Sequence, residues 1–237
     1  MREVRATRYV APLREGGSLP GLVEAEDDGL YVCKFRGAGQ GPLALVAEIL
    51  GGELARALGL AMPDLVLLDL DPALGVAEPD PEIQDLINAS AGQNLGVDFL
   101  PGALPFTGAA DVDPEWAADV VWLDGLITNV DRTPRNPNLL CWGDVVYLID
   151  HGAAFYRQHA TTDYAAEAER PFPQITDHVL WSRAGSLAEA HERCAPRALA
   201  ALDAVVSMVP AEWLVGPPAE AYAAWLEQRI TWGGFVG

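Results

Sequence analysis

The apolar residues of this chain change their period partway along, and that change limits the folds open to it. Val4 to Leu13, Leu22 to Glu26 and Leu30 to Phe35 read as strands, separated by Glu15-Gly16-Gly17-Ser18-Leu19-Pro20-Gly21 and by the tight turn Asp27-Asp28-Gly29. The glycine loop Arg36 to Pro42 then leads into a helix from Leu43 to Leu58, whose Leu43, Val46, Ala47, Leu50, Leu54 and Leu58 recur at three and four, with Gly59 as its stop. A strand over Leu65 to Leu70 follows. The proline- and acid-rich stretch Asp71 to Gln93 reads as an exposed excursion with one short helix near Glu82 to Ala89, and Asn94 to Leu100 as a further strand. Beyond the connector Pro101-Gly102-Ala103-Leu104-Pro105 the pattern is mostly helical. One helix starts at an Asp113 cap with Pro114 in its first turn and ends near Thr128; others cover Leu187 to Val209 and Ala219 to Thr231. The expected fold class is therefore α+β in two parts, 1–102 rich in strands with one long helix and 103–237 mainly helical.

Composition narrows the partners. The chain has 237 residues, half of them hydrophobic, enough for a sizeable core. Its 15 basic and 34 acidic residues give a formal charge of −19, which argues against a partner held mainly through nucleic-acid phosphates or anionic lipid. No apolar run is long enough to span a membrane, and Met1-Arg2-Glu3-Val4-Arg5 is not followed by the apolar stretch of a secretory signal. Cys33, Cys141 and Cys194 lack metal-ligand spacing, as do His151, His159, His178 and His191. These features lead us to expect a reduced, cytoplasmic protein with its cysteines in the core.

The chemistry concentrates in one loop and hairpin. Asn129-Val130-Asp131-Arg132-Thr133-Pro134-Arg135-Asn136-Pro137-Asn138 precedes a strand Leu139 to Trp142, a turn Gly143-Asp144, and a strand Val145 to Ile149 that ends in Asp150-His151-Gly152. An Asp, an Asn five residues on, and a hairpin closed by Asp-x-Gly form the layout of a kinase catalytic loop and metal-binding hairpin. Asp131 would take or orient the proton of an attacking hydroxyl. Asn136 and Asp150 would offer hard oxygens to Mg²⁺. Taken alone, the hairpin also reads as a polar loop with ordinary turn residues. For Arg132 and Arg135, ordinary surface pairing is the expectation, and Arg2, Arg5 and Arg8 read as solvated.

The basic residues add an upstream clue: 14 are Arg and one is Lys, Lys34, inside the apolar run Leu30 to Phe35. A solvated edge charge tolerates Arg, whereas a compact ammonium in a phosphate pocket is not readily exchanged. Glu48 follows 14 residues later in the middle of the next helix, the order expected for a Lys that contacts nucleotide phosphates and a Glu that holds it. Gly16, Gly17 and Ser18 would cap the phosphates with backbone amides and a hydroxyl. The Gly37-x-Gly39-x-Gly41 loop is either a second phosphate-side loop or a flexible link. Adenine would meet backbone groups near Phe99 and Leu100, within the stretch 99–103. No Walker A motif is present.

These elements, Gly16 to Gly21, Val32 to Gly41, Asn129 to Thr133 and Ile149 to Gly152, resemble the HipA-like kinase family, a group distantly related to the phosphoinositide and protein kinases. The resemblance covers about residues 4 to 156. It implies a two-lobed protein-kinase-like fold with a nucleotide-binding N-lobe and a catalytic C-lobe, ATP and Mg²⁺ as cofactors, and phosphorylation of a hydroxyl on a protein Ser or Thr or on a small molecule. The chain is too short for the additional N-terminal subdomain of the family's toxin kinases, so a toxin role and a DNA-binding partner are not implied. Spacing from Asp131 favours Asn136 as the metal ligand, adjacency to the following strand favours Asn138, and Asn136 is preferred. Thr161 and Thr162 are the nearest hydroxyls after Asp150. A nucleotide-binding pseudokinase that scaffolds a partner, and a non-enzymatic α+β interaction domain, are the rival readings.

Overall fold

The computed structural model describes residues 1–13, 19–39, 41–76, 78–108, 111–160 and 163–235. Gly16, Gly17, Ser18, Thr161 and Thr162 lie outside the described residues. The chain divides into two compact units, 1–45 with 63–101 and 46–62 with 102–237. The long helix α1 (Pro42–Ala57) is split by this division, its residues from Val46 onward belonging to the second unit.

In the first unit β1 (Arg2–Pro12), β2 (Gly21–Ala25), β3 (Leu30–Lys34), β4 (Leu65–Leu70) and β5 (Gly92–Asp98) close a barrel in the order β1-β2-β3-β5-β4. The closing pair is parallel, with Arg2 opposite Val66 and Arg5 opposite Asp69. Two register shifts in β1, between Ala6 and Arg8 and between Tyr9 and Ala11, bend the strand far enough to reach both neighbours. Period-two alternation sends Val23, Ala25, Tyr31 and Cys33 inward, against Val4, Ala6, Val66 and Leu68. Lys34, next after buried Cys33 and paired in register with Leu95, therefore lies on the outer face of β3.

One expectation changes here. The proline- and acid-rich stretch is not simply an exposed excursion: α2 (Pro81–Ala89) places Ile83 and Ile87 one turn apart, and both are buried in the barrel's core cluster. Arg2, Arg5 and Arg8 are solvated, as expected, and from the surface they pair with Asp27, Glu26 and Glu24 respectively. At such exposure these pairs add little stability. The start of the glycine loop after β3 is anchored, since Arg36 N donates to Asn94 Oδ1 at 2.8 Å and Gly37 N to Ser90 Oγ at 3.1 Å. A Cβ on Gly37 would stand 2.9 Å from that same oxygen.

The second unit is built on α3 (Pro114–Leu126). Its cap Asp113 accepts from Glu115 N at 2.7 Å and Trp116 N at 3.1 Å, and Pro114 occupies the first turn. From Ala117 to Leu126 nearly every side chain is buried, so α3 runs through the core rather than along a surface. α5 (Leu187–Val206) and α6 (Ala219–Trp232) pack against it, and the short α4 (Tyr164–Ala168) packs against α6. A separate antiparallel sheet joins β6 (Leu104–Pro105), β7 (Leu139–Trp142) and β8 (Val145–Leu148) in that order. Its first strand comes from the end of the proline connector, where Leu104 pairs with Cys141. Cys33 and Cys194 are buried free thiols whose pKa burial pushes up, to about 12 at Cys194. Among the described residues no helix is long and apolar enough to cross a membrane.

Candidate active site

The loop between α3 and β7 turns on itself. Thr133 N donates to Asn136 O at 3.0 Å and Asn136 N to Thr133 O at 3.1 Å, leaving Pro134 and Arg135 at the tip of a two-residue turn. That turn folds Asn136 back so that its Nδ2 donates to Asp131 Oδ2 at 2.8 Å, and Asn138 Nδ2 reaches the same oxygen at 3.2 Å. Both amides spend their nitrogens on Asp131, which leaves their carbonyl oxygens for other ligands. Asn136 is exposed, whereas Asn138 is buried and adopts φ +48. Asn138 O accepts Ile149 N at 3.0 Å, which puts this Asn across from the residue preceding Asp150.

Asp150 itself holds φ +56, a left-handed conformation that an L-residue adopts at a cost of roughly 1 kcal/mol. Its neighbours account for that conformation. The buried Glu48 carboxylate of α1 accepts His151 N at 2.9 Å on one oxygen and Gly152 N at 3.0 Å on the other. Gly51, a turn further along α1, lets the His151 ring lie against the helix, since a Cβ there would meet His151 Cβ at 2.7 Å.

Arg132 proves to be a buried hub, contrary to the surface pairing expected of it. Its side chain is fully enclosed. Nε donates to Asp124 Oδ2 at 2.6 Å, one terminal nitrogen donates to Asn138 O and to Ile149 O at 3.1 Å, and the other lies 3.0 Å from His151 Nε2. Guanidinium has no acceptor, so His151 Nε2 accepts. Asp124, on the last turn of α3, closes the network: its Oδ1 accepts Asn129 Nδ2 at 3.0 Å, and Asn129 Oδ1 in turn accepts Asp131 N at 3.1 Å. His178 Nδ1 accepts Leu180 N at 3.1 Å, so its Nε2 carries the proton it gives to Asp124 Oδ2 at 2.9 Å. Burial alone would raise the Asp124 pKa, but the Arg132 charge and the His178 hydrogen bond outweigh it, and the carboxyl is held well below the ordinary carboxylate range.

Asp131, Asn136, Asn138, Asp150 and Glu48 thus all belong to the second unit, while Lys34, Phe99 and Leu100 belong to the first. Phe99 and Leu100 follow β5, with Phe99 N donating to Leu30 O at 2.9 Å and Leu100 buried. Asp124, His178 and Gly51 shape the site without belonging to any motif in the sequence. Asp124 had a usable signal, an acid in the otherwise apolar run Val120 to Leu126. His178 had none, because its partner lies 54 residues away.

A family model described as HipA-like kinase matches residues 7–230. No curated protein matches the chain. Among solved structures the chain is similar to the Helicobacter pylori proinflammatory kinase CtkA, at 13% identity over 97% of this chain and 93% of that one, with a TM-score of 0.57. It is also similar to a Golgi casein kinase, at 14% identity over 100% of this chain and 73% of that one, with a TM-score of 0.48. A structure of the Golgi casein kinase with Mn/ADP bound gives 14% identity, 100% and 72% coverage and a TM-score of 0.46. At such identity the likeness to the first of these shows a protein-kinase-like fold of mixed helix and strand.

Proposed function

Because the chain belongs to the HipA-like kinase family, we propose that it transfers the terminal phosphoryl group of ATP, with Mg²⁺, to a hydroxyl acceptor on a protein or a small molecule. The observation that carries this reading is the placement of Asn138. Its side-chain amide donates to Asp131 at 3.2 Å, and its main-chain carbonyl accepts the amide of Ile149, the residue before Asp150, at 3.0 Å, so one buried residue ties the acceptor-side carboxylate to the strand end that leads into the metal-side turn.

Asp131 orients the acceptor hydroxyl and takes its proton. Asn136 and Asn138 fix the Asp131 carboxylate by sharing one of its oxygens. Asp150 and the side-chain amide oxygen of Asn138 would offer hard oxygens suited to Mg²⁺. We prefer Asn138 to the Asn136 favoured by spacing, because Asn138 is buried against the hairpin and Asn136 stands on an exposed turn. Among the described residues no group of three or more His, Cys, Asp and Glu could hold a metal. That donor set suits a small hard cation taking one or two protein oxygens and completing its shell with water and phosphate oxygens. Bound there, Mg²⁺ would neutralise charge on the transferring phosphates. Lys34 contacts the nucleotide phosphates and Glu48 supports it. Gly16, Gly17 and Ser18 cap the phosphates, and backbone groups at Phe99 and Leu100 receive adenine.

Asp131→Asn keeps the size and most hydrogen bonds of the side chain but removes the base. It should cut ATP-dependent phosphoryl transfer, followed as ADP release and as ³²P incorporation, by about a hundredfold or more, with ADP affinity unchanged. Full transfer by the variant would overturn the role of Asp131. Nucleotide binding by the wild type with no transfer to any hydroxyl would favour the scaffold reading.

A further inference from the structure

The buried network around Arg132 does more than fill space beneath the catalytic loop. Four of its hydrogen bonds end on segments that carry the proposed chemistry or flank it: the Asn138 carbonyl, the Ile149 carbonyl, the His151 ring, and Asp124, which reaches the Asp131 amide through Asn129. A single guanidinium thus grips the peptide before Asp150, while the Glu48 carboxylate grips the two amides after it. The network has a further tie. The segment holding the 3-10 turns Pro173–Asp177 and Trp181–Arg183 is fastened to the same hub twice, by His178 Nε2 to Asp124 at 2.9 Å and by Val179 N to Arg132 O at 3.0 Å.

We propose that Arg132 and His178 are positioning residues for the divalent-cation end of the site, and that docking of the 173–183 segment through His178 and Asp124 sets how well Asp150 and Asn138 hold that cation. The physical reason is the fork. Arg132 satisfies two carbonyls, a ring nitrogen and a carboxylate at fixed angles, which a Lys ammonium cannot reproduce. His178 fixes the second lone pair of the oxygen that orients this fork. With His178 gone, Asp124 and the guanidinium can rotate together, and the Ile149 and Asn138 carbonyls follow. The turn at Asp150, held at φ +56 by its surroundings, is then the first part to relax.

This inference rests on the kinase reading for the identity of the cation, and its test separates the two. Mn²⁺ binding would be measured by electron paramagnetic resonance in the presence of ADP for the wild type, Arg132→Lys, His178→Ala and His178→Gln. Hydrogen exchange of the peptide spanning 149–152 would be followed on the same proteins without nucleotide. His178→Ala should weaken Mn²⁺ binding about tenfold and speed exchange at 149–152, with affinity for metal-free ADP unchanged. His178→Gln, whose amide can still donate to Asp124, should restore most of both. Arg132→Lys should resemble His178→Ala or exceed it; should it fail to fold, the His178 pair decides. Wild-type Mn²⁺ affinity and wild-type exchange in His178→Ala would overturn the inference. Failure of the wild type itself to bind Mn²⁺ with ADP would overturn the kinase reading, and the exchange data would still decide whether His178 positions the turn.

Discussion

Asp150 shows how few contacts decide the geometry of a site. Thr128, Asn138, Asp150 and Phe155 all hold φ between 48° and 56°, and none is glycine. Such conformations persist where the surroundings over-determine them, and at Asp150 those surroundings are Arg132, Glu48 and the close approach at Gly51. Gly51 allows a test whose sign is informative. In an unconstrained helix interior Ala is favoured over Gly by about 1 kcal/mol, so Gly51→Ala would stabilise the protein if the helix were all that mattered. The added Cβ would instead stand 2.7 Å from His151 Cβ, two atoms fixed to their backbones, so helix or turn must move. We expect Gly51→Ala to lower unfolding stability by roughly 1–3 kcal/mol and to reduce phosphoryl transfer. A gain in the denaturant midpoint would show that His151 does not need the helix surface.

Among the elements, α3 carries most of the placement, and its C-terminal end depends on a helix far along the chain. Arg229 of α6 is fully buried. It donates to Leu126 O at 2.9 Å and Gly125 O at 3.0 Å, and to Ala168 O at 3.0 Å and Arg170 O at 2.8 Å. The rings of Trp225 and Phe235 lie 5.2 and 4.9 Å from its guanidinium carbon. The first two carbonyls belong to the last turn of α3, where helix carbonyls lack intrahelical partners and the dipole favours a cation. Arg229→Met preserves much of the apolar stem but strands these acceptors, and should cost about 3 kcal/mol or more in unfolding free energy, measured by urea denaturation. A loss below about 1 kcal/mol would mean that water replaces the guanidinium at no penalty. The start of α3 was legible in the sequence because its cap is local: Asp113 and Pro114 act within one turn. Its end was legible to within two residues, near Thr128 against Leu126, but the residue that satisfies its carbonyls was not, because Arg229 is 103 positions away.

The whole molecule follows the same division between local and distant causes. Strand and helix periods, the hairpin and the order of Asp131, Asn136, Asn138 and Asp150 along the chain are short-range patterns that can be read directly, although spacing alone favours Asn136 over Asn138. Closure of the barrel by parallel pairing of β1 with β4, the burial of Ile83 and Ile87, and the burial of Arg132 are set by partners that no local pattern announces. A polar loop reads as solvated until Asp124 and Ile149 are known to surround it. Charge is also a global property, and acid should expose one consequence of burial. His159 sits edge-on to the Tyr222 ring at 6.1 Å, and burial lowers its pKa to about 4, whereas an unfolded chain titrates the same ring near about 6.5. Between those values the unfolded state binds more protons, so stability is intact above pH 6.5 and falls as pH drops toward 4. The charge of −19 acts in the opposite sense, because protonating carboxylates relieves self-repulsion, and the depressed Asp124 loses its contribution only below the ordinary carboxylate range. Comparing wild type with His159→Phe cancels both shared effects. The stability difference between the two proteins, from urea titrations at intervals from pH 7 to pH 4.5, should shift against the wild type by at most about 1.4 kcal/mol per pH unit. Parallel profiles across that range would mean that His159 takes its proton in the folded state as readily as in the unfolded one.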